Sequence, residues 1–137
     1  FPLGEYTFDI NNPTKRKKLN EAAEKIAVII NKARANKTVV RIVIQGHTDD
    51  IDVKENNRYK DNWQLSALRA WFILEYFLKH APALADPDKK HDYQSYFLVE
   101  AFADTELKDK TNPKNPENRR ITIAVFENYK MTKDEDK

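Results

Sequence analysis

The sequence predicts an α/β (α+β) two-layer sandwich, a mixed four-stranded sheet with two helices on one face. Three observations predict it. Apolar residues alternate over four short stretches, they recur at three-to-four spacing over two long ones, and the two patterns interleave as β-α-β-α-β-loop-β. Helices separate the early strands, so part of the sheet is expected to be parallel. The 137 residues fit one domain, assigned to 1–130, with 131–137 expected as a disordered tail.

Each element has its own warrant. Residues 5–10 place Tyr6, Phe8 and Ile10 on one face, the pattern of a short strand. Asn12-Pro13 is a helix start, with Asn as cap and Pro at the first helical position. From there Leu19, Ala22, Ala23, Ile26, Ile29, Ile30 and Ala33 define an amphipathic helix of about six turns. Asn36 is expected to stop it in a left-handed conformation. Residues 38–45 form the second strand, with Val40, Ile42 and Ile44 on one face and Val39, Arg41, Val43 and Gln45 on the other. After the polar stretch 46–61, a second helix is expected from Trp63 to Lys79, capped by Asp61 or Asn62, with Pro82 beyond its end. It is apolar over more than half its circumference, which predicts cover on two sides. Residues 82–94 read as a charged loop, 96–102 as the third strand, 104–118 as irregular, and 120–126 as the fourth strand.

Composition narrows the function. Charged residues make up 34% of the chain, yet the net charge is only +2. That argues against a nucleic-acid binder, which usually shows a concentrated basic face. The one basic run, Lys15 to Lys18, reads as the solvated start of a helix. Cysteine is absent, excluding thiolate chemistry and disulfides. No stretch approaches the ~18 apolar residues of a membrane span. The chain opens on Phe, so a fragment or processed form is expected, with any signal or membrane anchor upstream.

Three polar clusters are not explained by folding: Gly46-His47-Thr48-Asp49-Asp50, then Asn62-Trp63-Gln64-Leu65-Ser66 with Arg69, and Asn118-Arg119-Arg120. All three fall at strand ends or helix starts, where loops gather and sites form. "GHTDD", "NWQLSALRA" and "NRRITI", in that order, resemble the C-terminal peptidoglycan-binding domain of the OmpA-like family. The Asn-Trp-Gln-Leu-Ser form and the long loop before it look most like the MotB-type stator branch.

The resemblance implies a non-catalytic anchor that binds the diaminopimelate of the cell-wall stem peptide. It implies a periplasmic domain of a membrane-anchored protein, paired as a homodimer. In the family the aspartate of Gly-His-Thr-Asp takes the ligand's ammonium, here Asp49, and the arginine of Leu-Ser-x-x-Arg-Ala takes its carboxylate, here Arg69. A guanidinium suits that role because its planar fork makes two parallel hydrogen bonds to a carboxylate. Asn62 is expected to meet ligand or cap the helix. Thr48, Arg119 and Arg120 complete the candidate site, Arg119 ahead of Arg120. Asp50 is expected to be peripheral, since adjacent side chains on an extended segment point to opposite faces.

This chain also departs from the family. Ala101-Phe102-Ala103-Asp104 replaces a Gly-aromatic-Gly turn, so the backbone there is expected to avoid left-handed angles. Residues 52–60 form a charged insertion expected as a lip over the site, and 82–94 a second insertion. Other chemistries find little support. His47, Asp49 and Asp50 are metal-ligand types, but His80 and His91 lie in unrelated segments and no His-x-His or His-x-x-x-His spacing occurs, so no metal or cofactor is expected. A hydrolase using Asp49 or Asp50 as base lacks a nucleophile and an oxyanion hole. An interaction module that has lost the ligand site is the alternative. Trp63 and Trp71 read as core or helix-packing residues in preference to sugar-stacking platforms.

Overall fold

A computed structural model describes residues 1–85 and 93–127. The tail 131–137 and most of the 82–94 insertion lie outside the described residues. The order of elements is α1 (Pro13–Ala35), β1 (Val40–Gly46), α2 (Asn62–Lys79), β2 (Phe97–Ala101) and β3 (Ile121–Glu127), with a 3-10 turn at Pro116–Asn118. The sheet runs β2-β1-β3. β1 pairs parallel to β2, with Ile44 opposite Val99, and antiparallel to β3, with Ile44 opposite Ile123. The mixed sheet is as the interleaving predicts.

Among the described residues the sheet has three strands, and the first of the four expected, at residues 5–10, does not form. Residues 5–10 keep their alternation, with Tyr6, Phe8 and Ile10 half-buried and Thr7 and Asp9 exposed, but they join no ladder. Their backbone groups go elsewhere. Glu5 N donates to Pro2 O, Gly4 bends the chain at φ 69°, and the Pro2 and Glu5 carbonyls accept from a buried arginine described below. Alternation reports a buried face; it does not report where the backbone hydrogen bonds go.

α1 starts as its sequence dictates: the Asn12 side chain accepts from Thr14 N and Lys15 N, and Pro13, with no N–H, needs no acceptor. Its end differs by one residue. Asn36 sits at φ −90°, and Lys37 takes the left-handed position at φ 55°. Thr38 N then donates to Ala33 O and Lys37 N to Arg34 O, the two bonds of a Schellman stop. α2 is capped by Asp61, whose carboxylate accepts from Gln64 N at 3.0 Å.

Both helices bury their apolar faces against Val40, Ile42 and Ile44 of β1, with Ile26, Ile30, Ile73 and Phe77 among the most enclosed residues. Both therefore lie on one face of the sheet. The second cover of α2 comes from the N-terminal segment and α1. Phe72 meets Phe8 edge-on at 5.0 Å, and the Tyr76 hydroxyl donates to Asn20 Oδ1 at 2.7 Å. The cover is incomplete, which corrects the reading of the tryptophans. Trp63 is 53% exposed and Trp71 48%, because both point along the outward stripe of α2 that neither layer reaches.

Candidate functional site

β1 delivers the site. Its last residue, Gly46, lies under the first turns of α2 so closely that a Cβ there would stand 1.8 Å from the Ser66 carbonyl oxygen. Only glycine permits this approach, and the approach brings the first two motifs together. Ser66 stitches in a third segment: its hydroxyl donates to Trp63 O and accepts from Ala103 N. Ala103 O in turn accepts from Thr48 N at 2.7 Å. These two bonds hold Ala103 at φ 50°, against the expectation that this turn avoids left-handed angles. A left-handed angle at a residue with a Cβ carries a steric cost of about 1–2 kcal/mol.

Asp49 is buried, its side chain 4% exposed, and its two oxygens have separate duties. Oδ1 accepts from Ile51 N at 3.1 Å, which turns the loop, and Oδ2 pairs with Arg119 at 3.0 Å. Asp50 faces out and pairs with Lys114 at 3.3 Å, an exposed contact. The two neighbouring acids therefore stand in different environments, and Arg119, not Arg120, is the arginine at Asp49. Arg120 directs its terminal nitrogens to the Asn118 and Glu106 carbonyls.

Arg69 is 1% exposed, and each of its guanidinium nitrogens meets a backbone carbonyl: Nε that of Glu5 at 2.8 Å, one terminal nitrogen that of His47 at 2.9 Å, the other that of Pro2 at 3.4 Å. Phe1 lies over it at 5.2 Å. Burial lowers its pKa to about 10, opposed by the nearby Asp49 carboxylate. In this conformation residues 1–5 cover Arg69. The 52–60 insertion holds that cover: the Tyr59 hydroxyl donates to Gly4 O at 2.8 Å and Arg58 pairs with Glu5 at 3.0 Å. The lip thus grips the N-terminal segment. Neither Tyr59 nor the Pro2 and Glu5 carbonyls stood out in the sequence. A lone tyrosine beside an arginine in a charged loop was the available signal.

Asn62 does not cap α2. Its Nδ2 donates to Ile51 O at 3.1 Å, and its Oδ1 is buried without a partner. The Thr48 hydroxyl donates to the Asp49 carbonyl at 2.8 Å. Asn118, fully buried, organises the 109–118 loop: Oδ1 accepts from Asp109 N, and Nδ2 donates to the carbonyls of Asp109, Asn112 and Pro113. Pro113 O then accepts from Asp50 N. The asparagine of the third motif therefore shapes the loop that abuts the first.

His47 is anchored at the end of β1 through its ring. A polar chain on the far face of the sheet fixes its tautomer. Glu100 accepts from Gln45 Nε2, Gln45 Oε1 accepts the only proton of Thr122 Oγ1, and Thr122 must then accept from His47 Nε2. Nδ1 is left as a bare, buried acceptor. Burial and then the Arg120 charge push the imidazole down to about 4, so it is neutral at pH 7. His47 also stacks on Phe102 at 5.3 Å.

Fold and site together define a small mixed α+β module that converges three motifs on one buried acid–arginine cluster. The chain belongs to the OmpA family, whose model matches residues 4–121. It is similar to Motility protein B of Bacillus subtilis, 28% identical over 121 residues, which cover 87% of this chain and 41% of that protein. It is 37% identical over 86 residues to the uncharacterized protein YtxE of the same organism, covering 61% of this chain and 31% of YtxE. The chain thus spans well under half the length of these relatives. Among solved structures, the C-terminal domain of Helicobacter pylori MotB matches with a TM-score of 0.50 at 20% identity, over 89% of this chain and 79% of that one, a likeness of fold.

Proposed function

We propose that this domain is a non-catalytic cell-wall anchor that binds peptidoglycan through the zwitterionic end of diaminopimelate. The observation that carries the reading is the buried Asp49 carboxylate beside Asn62, whose Oδ1 is an acceptor with no partner; both are tied to the backbone of Ile51. An ammonium is the ligand that needs several acceptors at once. Asp49 and Asn62 take the ammonium. Arg119, released from Asp49 by that exchange, and Arg69, once residues 1–5 lift from it, take the carboxylate. Thr48 and Arg120 shape the surrounding backbone. The alternative, an interaction module that has lost the site, does not account for a buried acceptor kept without a partner.

We place the domain in the periplasm, as the wall-facing part of a longer membrane-attached protein. Among the described residues no helix is long and apolar enough to cross a membrane. A second copy is the further partner, seated on the outward stripe of α2, where Trp63, Ala67 and Trp71 are exposed.

Sedimentation with purified peptidoglycan tests the anchor. The wild-type domain is expected in the pellet and to be released by free diaminopimelate. Asp49→Asn is expected in the supernatant, because losing one partner of a desolvated charged pair costs about 2–5 kcal/mol. Asp50→Asn is expected in the pellet. The reverse pattern for the two acids would remove Asp49 from the site, and breakdown of the wall during the assay would show a hydrolase.

A further inference from the structure

α1 opens against its own electrostatics. Lys15, Arg16, Lys17 and Lys18 lie in its first two turns, and no acidic residue stands in the first turn. A helix N-terminus carries partial positive charge, so this run is unfavourable unless an anion meets it. Lys15 and Lys18 also line an apolar depression of about 220 Å³, whose floor is Phe8, Leu19, Ile73 and Ile121. Phe1, Arg119 and Arg120 complete the lining. Among the described residues, only Arg119 of these four side-chain cations has a carboxylate partner, Asp49. Arg120 bonds to carbonyls, with Glu106 the acid whose field reaches it. The Lys15 ammonium lies 4.4 Å from the Phe8 ring centre, and among the described residues neither lysine forms an ion pair.

We infer that this depression binds the carboxyl terminus of a peptide ending in small apolar residues, as the alanine end of a wall stem peptide does. The apolar floor takes methyl groups, and Lys15 and Lys18 take the carboxylate. The volume is below the range of about 300–1,000 Å³ usual for drug-sized ligands, which suits a dipeptide end. Arg119 joins the depression to Asp49, and an extended peptide advances only about 3.3 Å per residue. A residue next to one held at Asp49 therefore comes within reach. The inference rests on the wall-binding reading for the identity of the peptide.

The test is a titration of the domain, followed by backbone amide shifts, with N-acetyl-D-alanyl-D-alanine, its carboxamide, inorganic phosphate and vesicles of anionic phospholipid. The free acid is expected to shift Lys18, Leu19 and Ile121. The carboxamide is expected to bind at least about tenfold more weakly, and the double variant Lys15→Gln/Lys18→Gln to lose the acid to the same extent while binding diaminopimelate as wild type does. Equal affinity for acid and carboxamide would overturn the proposal. So would phosphate binding as tightly as the acid, which marks a bare anion site, or vesicles binding where the acid does not, which marks a lipid surface. The two readings fail separately. Failure of diaminopimelate alone sinks the Asp49 site, and failure of the dipeptide acid alone sinks this one.

Discussion

At the scale of single residues, the site depends on charges that cannot be solvated one at a time. Asp49 and Arg119 are 4% and 13% exposed in their side chains, so removing either leaves the other buried without its partner. Arg119→Ala is expected to cost about 3–5 kcal/mol in urea unfolding. The double variant Arg119→Ala/Asp49→Ala is expected to be more stable than Arg119→Ala alone, since it removes the orphaned carboxylate too; a strictly additive double variant would show that the pair is not coupled. His47 makes stability depend on pH. Its pKa falls from 6.5 in the unfolded chain to about 4 in the folded one, so the unfolded state binds the extra proton between those values. The stability it contributes is complete above pH 6.5 and is lost as pH drops towards 4, by up to about 3 kcal/mol. His47→Gln is expected to flatten that part of the profile, and thermal melts at pH 7, 5.5 and 4 measure it. These environments were only partly legible in the sequence. The motifs marked Asp49, Arg69 and Arg119, but the sequence does not say that Arg69 spends its hydrogen bonds on Glu5, His47 and Pro2, because such bonds go to backbone carbonyls that every residue carries.

At the scale of elements, the architecture rests on close approaches and on two strained stops. Gly46→Ala places a methyl against the Ser66 carbonyl, a backbone atom that cannot swing aside. Overpacking of this kind costs about 3 kcal/mol, and chemical denaturation is expected to show at least that. Lys37 and Ala103 hold left-handed angles that glycine adopts without penalty. Lys37→Gly and Ala103→Gly are therefore each expected to change stability little or to raise it by up to about 1 kcal/mol, although glycine in the unfolded chain offsets part of the gain. A loss of more than 1 kcal/mol at either would show that the side chain carries packing absent from this account. Both helices and three strands could be read from apolar periodicity, because each turns one face to the core. The strand expected at 5–10 failed for the complementary reason. Its alternation is real, but its carbonyls turn to Arg69, and periodicity carries no information about backbone partners. Lys37 escaped for a similar reason: Asn36 has the composition of a left-handed stop, and the chain ran one residue further before turning.

At the scale of the whole molecule, the two-layer fold gathers its loops at one end of β1, where Gly46, the start of α2 and the entry to β3 meet. All three motifs were visible as sequence because each mixes residue types that folding alone does not require. Their convergence was visible only through the resemblance, and the N-terminal cover over Arg69 was not visible at all. That cover gives the wall-binding reading a definite energetic shape. On the proposed reading the ligand displaces Arg119 from Asp49 with an ammonium, and the carbonyls of Pro2 and Glu5 from Arg69 with a carboxylate. Calorimetric titration with two matched stem peptides, one carrying diaminopimelate and one carrying lysine, measures this directly. Lysine supplies the ammonium and lacks the carboxylate, and a site built to pair a group rejects an analogue without it. The expected result is binding of the diaminopimelate peptide and a loss of about 100-fold or more for the lysine peptide, matching the removal of one buried charged partner. Equal affinity for the two peptides would contradict the arginine clamp and with it the central claim.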